Sequence, residues 1–302
     1  MRNKTVTATI SAIISQTIFG FSFMFSKIAL EFASPVVQLA DRLVLAFIAL
    51  NIVLLTGKVK VNFKGKKVWK VFLLGLFQPT LYFIFESYGI KLTNSTFSSV
   101  MIALVPVVSL VFAIFMLKEY PSFLQVVFSI LSVSGVIIMA LQGNRQGIVT
   151  LSGILLLSGA VLTAVLYNIT SRGISEEFTP FERTYGMFLV GSAVYLIIAL
   201  IENIDNPAEI LVPFTHMEFL GATLFLSILS SVVAFMLLNY TNTYLPVAKS
   251  TSFSNVTTVV SVFAGSVFIG EPVTVISVIA SFMIIIGVWG VQKFKTKLGA
   301  EE

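Results

Sequence analysis

From Trp69 to Lys293 the chain reads twice. Displaced by 152 residues, Tyr88 falls on Tyr240, Glu119 on Glu271 and Gly135 on Gly287 without a gap. Ser98 meets Ser250, and the run Val107, Val108, Ser109 meets Val259, Val260, Ser261. Identities between apolar residues carry little weight alone. The firmer sign is that the apolar stretches, and the breaks between them at Glu119 and Glu271, stay in step throughout. Upstream a displacement of 145 pairs Lys27 with Arg172, Glu31 with Glu176, and Ser34-Pro35 with Thr179-Pro180. The second copy thus holds seven extra residues, expected in the polar segment Glu202 to Pro213.

What repeats is a set of membrane spans. With 57% hydrophobic residues, 11% charged and a mean hydropathy of +0.98, a soluble chain of this length could not cover its apolar surface. A helix needs about 20 apolar residues to cross the hydrocarbon. Ten such runs occur, near 6–27, 36–56, 68–90, 94–117, 121–141, 148–170, 181–201, 217–239, 245–269 and 272–292. The first is too long for a cleaved signal and is expected to stay as span 1. No cysteine is present, which excludes disulfides and thiolate chemistry, and the one histidine, His216, lies in a polar loop. Neither a metal site nor a cofactor is called for.

Lysine and arginine placement orients such a chain. With the N-terminus in the cytoplasm, fourteen fall on the inner side, six of them between Lys58 and Lys70, and four on the outer side (Lys27, Arg42, Lys91, Arg145). Lys249 lies inside a span. The expectation is a multi-pass protein of the plasma (inner) membrane with both termini cytoplasmic. The net charge of +5 is then a topology signal facing anionic lipid. The lysine cluster lacks the interleaved aromatics that stack on bases, so no nucleic-acid partner is expected.

Five spans per half is an odd number, so the second copy must sit upside down. The halves are placed at residues 1–146 and 147–302. The fold expected is all-α: ten transmembrane helices in two inverted five-helix repeats. Inverted repeats put a site near the bilayer midplane, where rocking of one half on the other exposes it to each side in turn. That architecture argues for a transporter.

The residues also resemble a family. The segment Ile18 to Pro35, IFGFSFMFSKIALEFASP, followed by DRLVLA from Asp41, is similar to the start of the ten-helix EamA-type branch of the drug/metabolite transporter superfamily. Gly20, Lys27, Pro35 and Arg42 match its recurring positions, and Phe19 stands where the family carries Trp. Tyr82 to Glu119, with Pro106 inside it, resembles the family's helix 3 and 4 hairpin, and Phe268 to Trp289 repeats the likeness. The resemblance implies secondary transport, often export, of a small organic metabolite. It does not select among amino acids, sugars, nucleobases and drugs.

Polar residues inside spans are the candidates for the pathway, because each is costly facing lipid. Gln78, Tyr82 and Glu86 are four apart in span 3 and share one face. Glu86 also lies near the outer end of its span, where pairing with Lys91 would account for it. In a cavity it could exchange a proton for a cationic or zwitterionic substrate, which makes protons a candidate coupling ion. Thr251, Asn255 and Thr258 share a face of span 9. In the 152 register they meet Ser99, Ala103 and Pro106 of span 4, so both faces are expected where the halves join, as pathway or as tight packing. Lys249 either snorkels to the cytoplasm or touches substrate. Tyr167 and Asn168 offer polar contacts from span 6. Topology puts Glu86 and Lys249 near opposite faces, too far apart for one small ligand. Pro79 and Pro106 are expected to kink spans 3 and 4, and their absence at the matching positions Ser231 and Thr258 to make the two hairpins unequal. Glu119 and Glu271 are each expected to face the N-terminus of the helix that follows.

These readings converge on a secondary transporter, exporting by alternating access, with a small-molecule substrate and the lipid bilayer as partners and no call on oligomeric state. No Ser–His, paired-carboxylate or metal constellation points to catalysis. The alternatives are a membrane-embedded enzyme or a subunit of a multicomponent flippase or efflux complex.

Overall fold

The computed structural model of the chain describes residues 2–117, 119–120, 122–145, 149–245, 250–251, 253–271, 273–294 and 297–298. Each of the ten expected spans contains a helix among the described residues. They are α1 (Arg2–Ala29), α2 (Pro35–Leu55), α3 (Trp69–Lys91), α4 in two pieces (Ser95–Ile102 and Val105–Leu117) and α5 (Phe123–Arg145). The second half follows with α6 (Leu151–Gly173), α7 (Pro180–Glu202), α8 (Met217–Tyr244), α9 (Ser254–Ile269) and α10 (Val275–Lys293). Six of them, α1, α2, α3, α6, α7 and α8, are long and apolar enough to cross a membrane, and the other four are shorter apolar helices among the described residues. A two-residue pairing of Glu119–Tyr120 with Lys297–Leu298 is the one strand contact described. The fold is all-α. The expected boundary at residues 146 and 147 lies outside the described residues.

Local signals explain why the copies start in register. α2 and α7 both open on a hydroxyl cap followed by proline. Ser34 Oγ accepts the Val37 N–H and Thr179 Oγ1 accepts the Glu182 N–H, each at 3.2 Å. Proline fits the first helical position because that N–H has no intrahelical partner. These starts are 145 residues apart, whereas the ends of α4 and α9 and the starts of α5 and α10 are 152 apart. The seven extra residues are not a loop insertion as expected. Two lengthen the end of α7, four bring α8 in early, and one enters the linker, which forms two 3-10 turns, Pro207–Ile210 and Val212–Thr215.

Packing obeys the exchange of one half for the other. α2 lies on α7, α4 on α9 and α5 on α10; α1 rests against α8 and α9 as α6 rests against α3 and α4. With five spans per half, that two-fold relation inverts the second copy. Glycines set the closest approaches. A Cβ on Gly135 would stand 2.7 Å from the Ala280 carbonyl oxygen, and one on Gly287 2.7 Å from that of Phe128. α5 and α10 therefore touch backbone to backbone at two points related by the repeat.

Loops alternate between two faces. On the lysine-rich face the Lys66 ammonium pairs with Glu182 at 2.7 Å and that of Lys70 with Glu177 at 3.0 Å, tying the α2–α3 loop to the α6–α7 region. On the far face Thr150 Oγ1 donates to the Leu92 carbonyl at 3.1 Å, and the Phe32 and His216 rings lie 4.8 Å apart. Two cations assigned above to loops are not there. Arg42 sits two turns inside α2 and Arg183 one turn inside α7, both buried and hydrogen-bonded to neighbouring helices. Without them the charge split, thirteen against three, keeps its sign.

The hairpins are unequal at the prolines: α4 is interrupted between Ile102 and Val105, whereas α9 is unbroken at the matching positions, yet both third spans are distorted. α3 widens into a π-helical stretch at Leu76–Leu81, and α8 does so at Phe225–Ala234, around the matching positions and without a proline. In α8 the Ser227 hydroxyl donates to the Thr223 carbonyl at 2.6 Å, a contact that competes with the backbone ladder. In α3, Gln78 leaves helical geometry altogether, with φ −149° and ψ 123°.

Candidate functional site

The broken middle of α3 faces a central cavity of about 640 Å³, its opening included. Walls come from α1, α2, α3, α4, α6, α8 and the start of α9. Discontinuous helices at the meeting of two repeats are where such transporters place polar groups that lipid would not tolerate.

One wall is cationic. Arg42 Nε donates to Ser231 Oγ at 3.0 Å and Nη2 to Ser230 Oγ at 3.1 Å, and the guanidinium carbon lies 3.9 Å from the centre of the Phe83 ring. Two serines and an aromatic face thus fix the planar fork in place. The charge is 1% exposed as a residue yet lines the cavity. Tyr82 Oη donates to Glu86 Oε1 at 2.9 Å, and both line the same space. Arg42 and Glu86 are not ion-paired; the ion pairs among the described residues are the two on the lysine-rich face. Pairing of Glu86 with Lys91 does not occur. A cavity bearing one separated charge of each sign presents a dipole to whatever enters it.

The remaining surface is aromatic and hydroxylic. Phe235 is the aromatic hub, with the Phe19, Phe188, Phe83 and Tyr167 rings 5.1, 5.5, 6.0 and 6.0 Å away. Thr257 Oγ1 donates to Gln16 Oε1 at 2.6 Å, and Ser250 Oγ to Asn242 Oδ1 at 2.6 Å. Gln16, Thr257, Ser250 and Ser254 all reach the cavity.

Of the residues singled out from the sequence, Gln78, Tyr82, Glu86, Asn168 and Thr251 line this cavity. Ser99, Tyr167 and Thr258 do not. Thr258 Oγ1 donates to the Ser99 carbonyl at 3.4 Å, which makes that pair a packing contact between α4 and α9. Tyr167 Oη donates to Asn239 Oδ1 at 3.0 Å, in a buried network with Ser171 and Arg183. Lys249 lies outside the described residues, as does the side chain of Asn255. The residue missed is Arg42, counted as a boundary charge. Pro35 seven residues earlier carried the signal, because a helix opening there buries position 42 two turns deep.

Glu271 is the second surprise. Its carboxylate does not face the N-terminus of α10. Oε1 accepts from Ser95 N at 2.8 Å and Ser95 Oγ at 2.7 Å, and Oε2 from Thr96 N at 2.9 Å and Thr96 Oγ1 at 2.6 Å. It caps α4, in the opposite half. The general point, a carboxylate against the positive end of a helix, holds for a different helix than expected.

Ten helices in two inverted repeats around a polar, aromatic cavity define a membrane transporter. The sequence pattern of the EamA-like transporter family matches residues 6–141 and again 151–292, and the chain belongs to that family. Among similar proteins is the uncharacterized transporter YcxC of Bacillus subtilis (strain 168), 33% identical over 293 residues, spanning 96% of this chain and 94% of the relative. An uncharacterized transporter of Archaeoglobus fulgidus is 24% identical over 276 residues, spanning 91% and 95%. A solved crystal structure at 17% identity superposes with a TM-score of 0.65 over 95% of each chain, which establishes a shared fold.

Proposed function

We propose that the protein is a secondary transporter that exports a small zwitterionic metabolite with an apolar body by alternating access, with protons as the coupling ion. The observation that carries this reading is the pair Arg42 and Glu86, of opposite charge, unpaired and facing one cavity. Arg42 offers guanidinium donors to a carboxylate, Glu86 accepts an ammonium, and Phe19, Phe83 and Phe235 cover the body between them. The sequence places Lys249 too far from Glu86 to share one small ligand with it, whereas Arg42 lines the same cavity as Glu86.

Orientation is part of the proposal. The lysine-rich face is assigned to the cytoplasm, with both termini there, in the plasma membrane. Export is the direction the family resemblance implies. The two repeats are the rocking bodies, meeting near residues 146 and 147. Glu86 faces the Tyr82 hydroxyl from its own helix and Arg42 from α2, and it gives up its proton when the ammonium group arrives.

Purified protein in liposomes, loaded with a panel of metabolites and challenged with a pH gradient, tests this. Zwitterions with apolar side chains are expected to leave in exchange for protons. In Glu86→Gln, which keeps size and hydrogen bonding, counterflow should persist while dependence on the pH gradient is lost. Unchanged pH dependence in that variant removes Glu86 as the coupling group. Failure to move any solute without a second protein removes the stand-alone transporter.

A further inference from the structure

Glu271 does more geometrically than end a helix. Gly270 adopts a left-handed turn, φ 66°, and the Glu271 N–H reaches back to the Gly265 carbonyl at 2.9 Å. The chain folds over on itself and delivers the carboxylate to α4. Asn94 Oδ1 accepts the next N–H, that of Phe97, at 2.7 Å, so the first three amides of α4 are held by side chains, two of them by the other half of the molecule. α9 lies against this contact without a side chain at Gly265. A Cβ there would stand 2.8 Å from the Glu271 carboxylate and 3.0 Å from Thr96 Oγ1. Deeper in, Ser261 Oγ reaches the Ser95 carbonyl and Thr258 Oγ1 the Ser99 carbonyl, both at 3.4 Å. Along α4 and α9 this run of contacts stands between the far face and the cavity, whose lining on these helices begins at Ile102 and Thr257.

The two-fold exchange of halves requires a counterpart on the lysine-rich face, made of Glu119 and the start of span 9. The acid is kept there, but its surroundings are not. In the 152 register Ser95 becomes Val247, Thr96 becomes Ala248, Gly265 becomes Ala113 and Gly270 becomes Lys118. Val247 and Ala248 have no hydroxyl to donate. A tight left-handed turn is natural at glycine and strained at lysine. Whichever conformation puts Glu119 in the equivalent role has two fewer hydroxyl donors for its carboxylate.

We propose that Glu271 is a latch that holds α4 against α9 on the far face, and that its inequality with Glu119 makes the far-closed conformation the resting state. This rests on alternating access as proposed above. A two-state equilibrium is displaced only by interactions that differ between its states, and the carboxylate with its four donors is such an interaction. Under the export reading, the resting protein then waits with its cavity committed to the cytoplasmic side.

The absence of cysteine makes the test direct. Ser99→Cys, between latch and cavity, reports on the far face, and Thr251→Cys, at the cavity, on the lysine-rich face. Each is exposed in liposomes to a membrane-impermeant thiol reagent from either side. With Glu271→Gln added, far-side labelling at position 99 should rise by on the order of tenfold, as when a minor state becomes a major one, and labelling at position 251 should fall. Gly265→Ala should do the same by displacing the carboxylate. Should either variant fail to fold, Val247→Ser with Ala248→Thr supplies the missing hydroxyls to the weaker side with Glu271 untouched, and the same reciprocal shift is expected. If neither reporter changes in folded Glu271→Gln, Glu271 is a cap alone, and alternating access is unaffected. If position 99 opens while 251 stays as it was, the end of α4 has frayed locally; that overturns the latch and counts against coupled rocking as well.

Discussion

Where α3 carries Gln78, Tyr82 and Glu86, its copy α8 carries Ser230, Ala234 and Leu238. Both helices widen into π-turns at the same level, and both give that level to the centre of the molecule. The first presents an acid, a phenol and an amide to the cavity. The second presents serines to Arg42, and Phe235 and Leu238 to the cavity. A symmetric scaffold thus encloses an asymmetric site. Backbone form was kept through the repeat because helix packing at the pseudo-axis depends on it. Side chains diverged, so that Glu86 comes from α3 and the serines that hold Arg42 come from α8.

The largest test of that division is at Arg42. Arg42→Lys keeps the charge and leaves the helix intact, but an ammonium cannot hold two serines and lie flat on Phe83 at once. Loss of a charge-assisted contact of about 1.5–3 kcal/mol corresponds to roughly ten- to hundredfold in affinity. Counterflow kinetics should show that loss in apparent substrate affinity with the amount of folded protein unchanged. Wild-type affinity in the lysine variant would mean that α2 contributes packing and α3 alone forms the site.

Next comes the supporting role assigned to α8. Replacing Ser230 and Ser231 together by alanine removes both protein acceptors of the guanidinium. A buried donor left without a partner costs about 1–3 kcal/mol, more when charged. A clear fall in melting temperature in detergent is expected, together with weaker substrate binding. Gln78→Ala, which alters the α3 side and leaves these bonds intact, should lower transport with a smaller effect on melting. Equal melting of the two variants would remove the distinction between a helix that supports and a helix that binds.

The smallest effect belongs to the face where the halves are tied. The Lys67 N–H, at 2.5 Å, and the Lys70 ammonium hold the Glu177 carboxyl below its ordinary value of 4.5. Because the folded state binds this proton less tightly than the unfolded state, the contribution is present above the ordinary carboxylate value and fades as pH falls below it. Glu177→Gln should therefore melt slightly lower than wild type at pH 7, with the gap closing on acidification below about pH 4.5. A gap that grows in acid would show that the loops gain nothing from this pair. The contact is partly exposed, so salt should narrow the gap too.

Ten spans, their order and their inversion were legible in the chain, because periodicity, capping and charge act locally and the repeat register fixes the rest. Ser34-Pro35 and Thr179-Pro180 announced two helix starts correctly, and Gln78, Tyr82 and Glu86 were assigned to one inward face. Arg42 was legible only as a family motif and a loop charge; its partners Ser230 and Ser231 lie 188 and 189 residues away. Ser99 and Thr258 were placed rightly between the halves, yet sequence could not say whether that seam was open to a ligand or closed on itself.

What the sequence determined alone is therefore everything set by hydrophobic length, turn chemistry and self-similarity: a membrane protein of two inverted halves. Tertiary structure decided which polar groups share a space. It joined Arg42 of α2 to Glu86 of α3 across one cavity, moved Tyr167 into a buried network, and gave Glu271 to α4 instead of α10. The physical reason is range. Span length and helix caps depend on residues within a few positions of each other, whereas a site depends on which helix faces meet, and packing alone sets that.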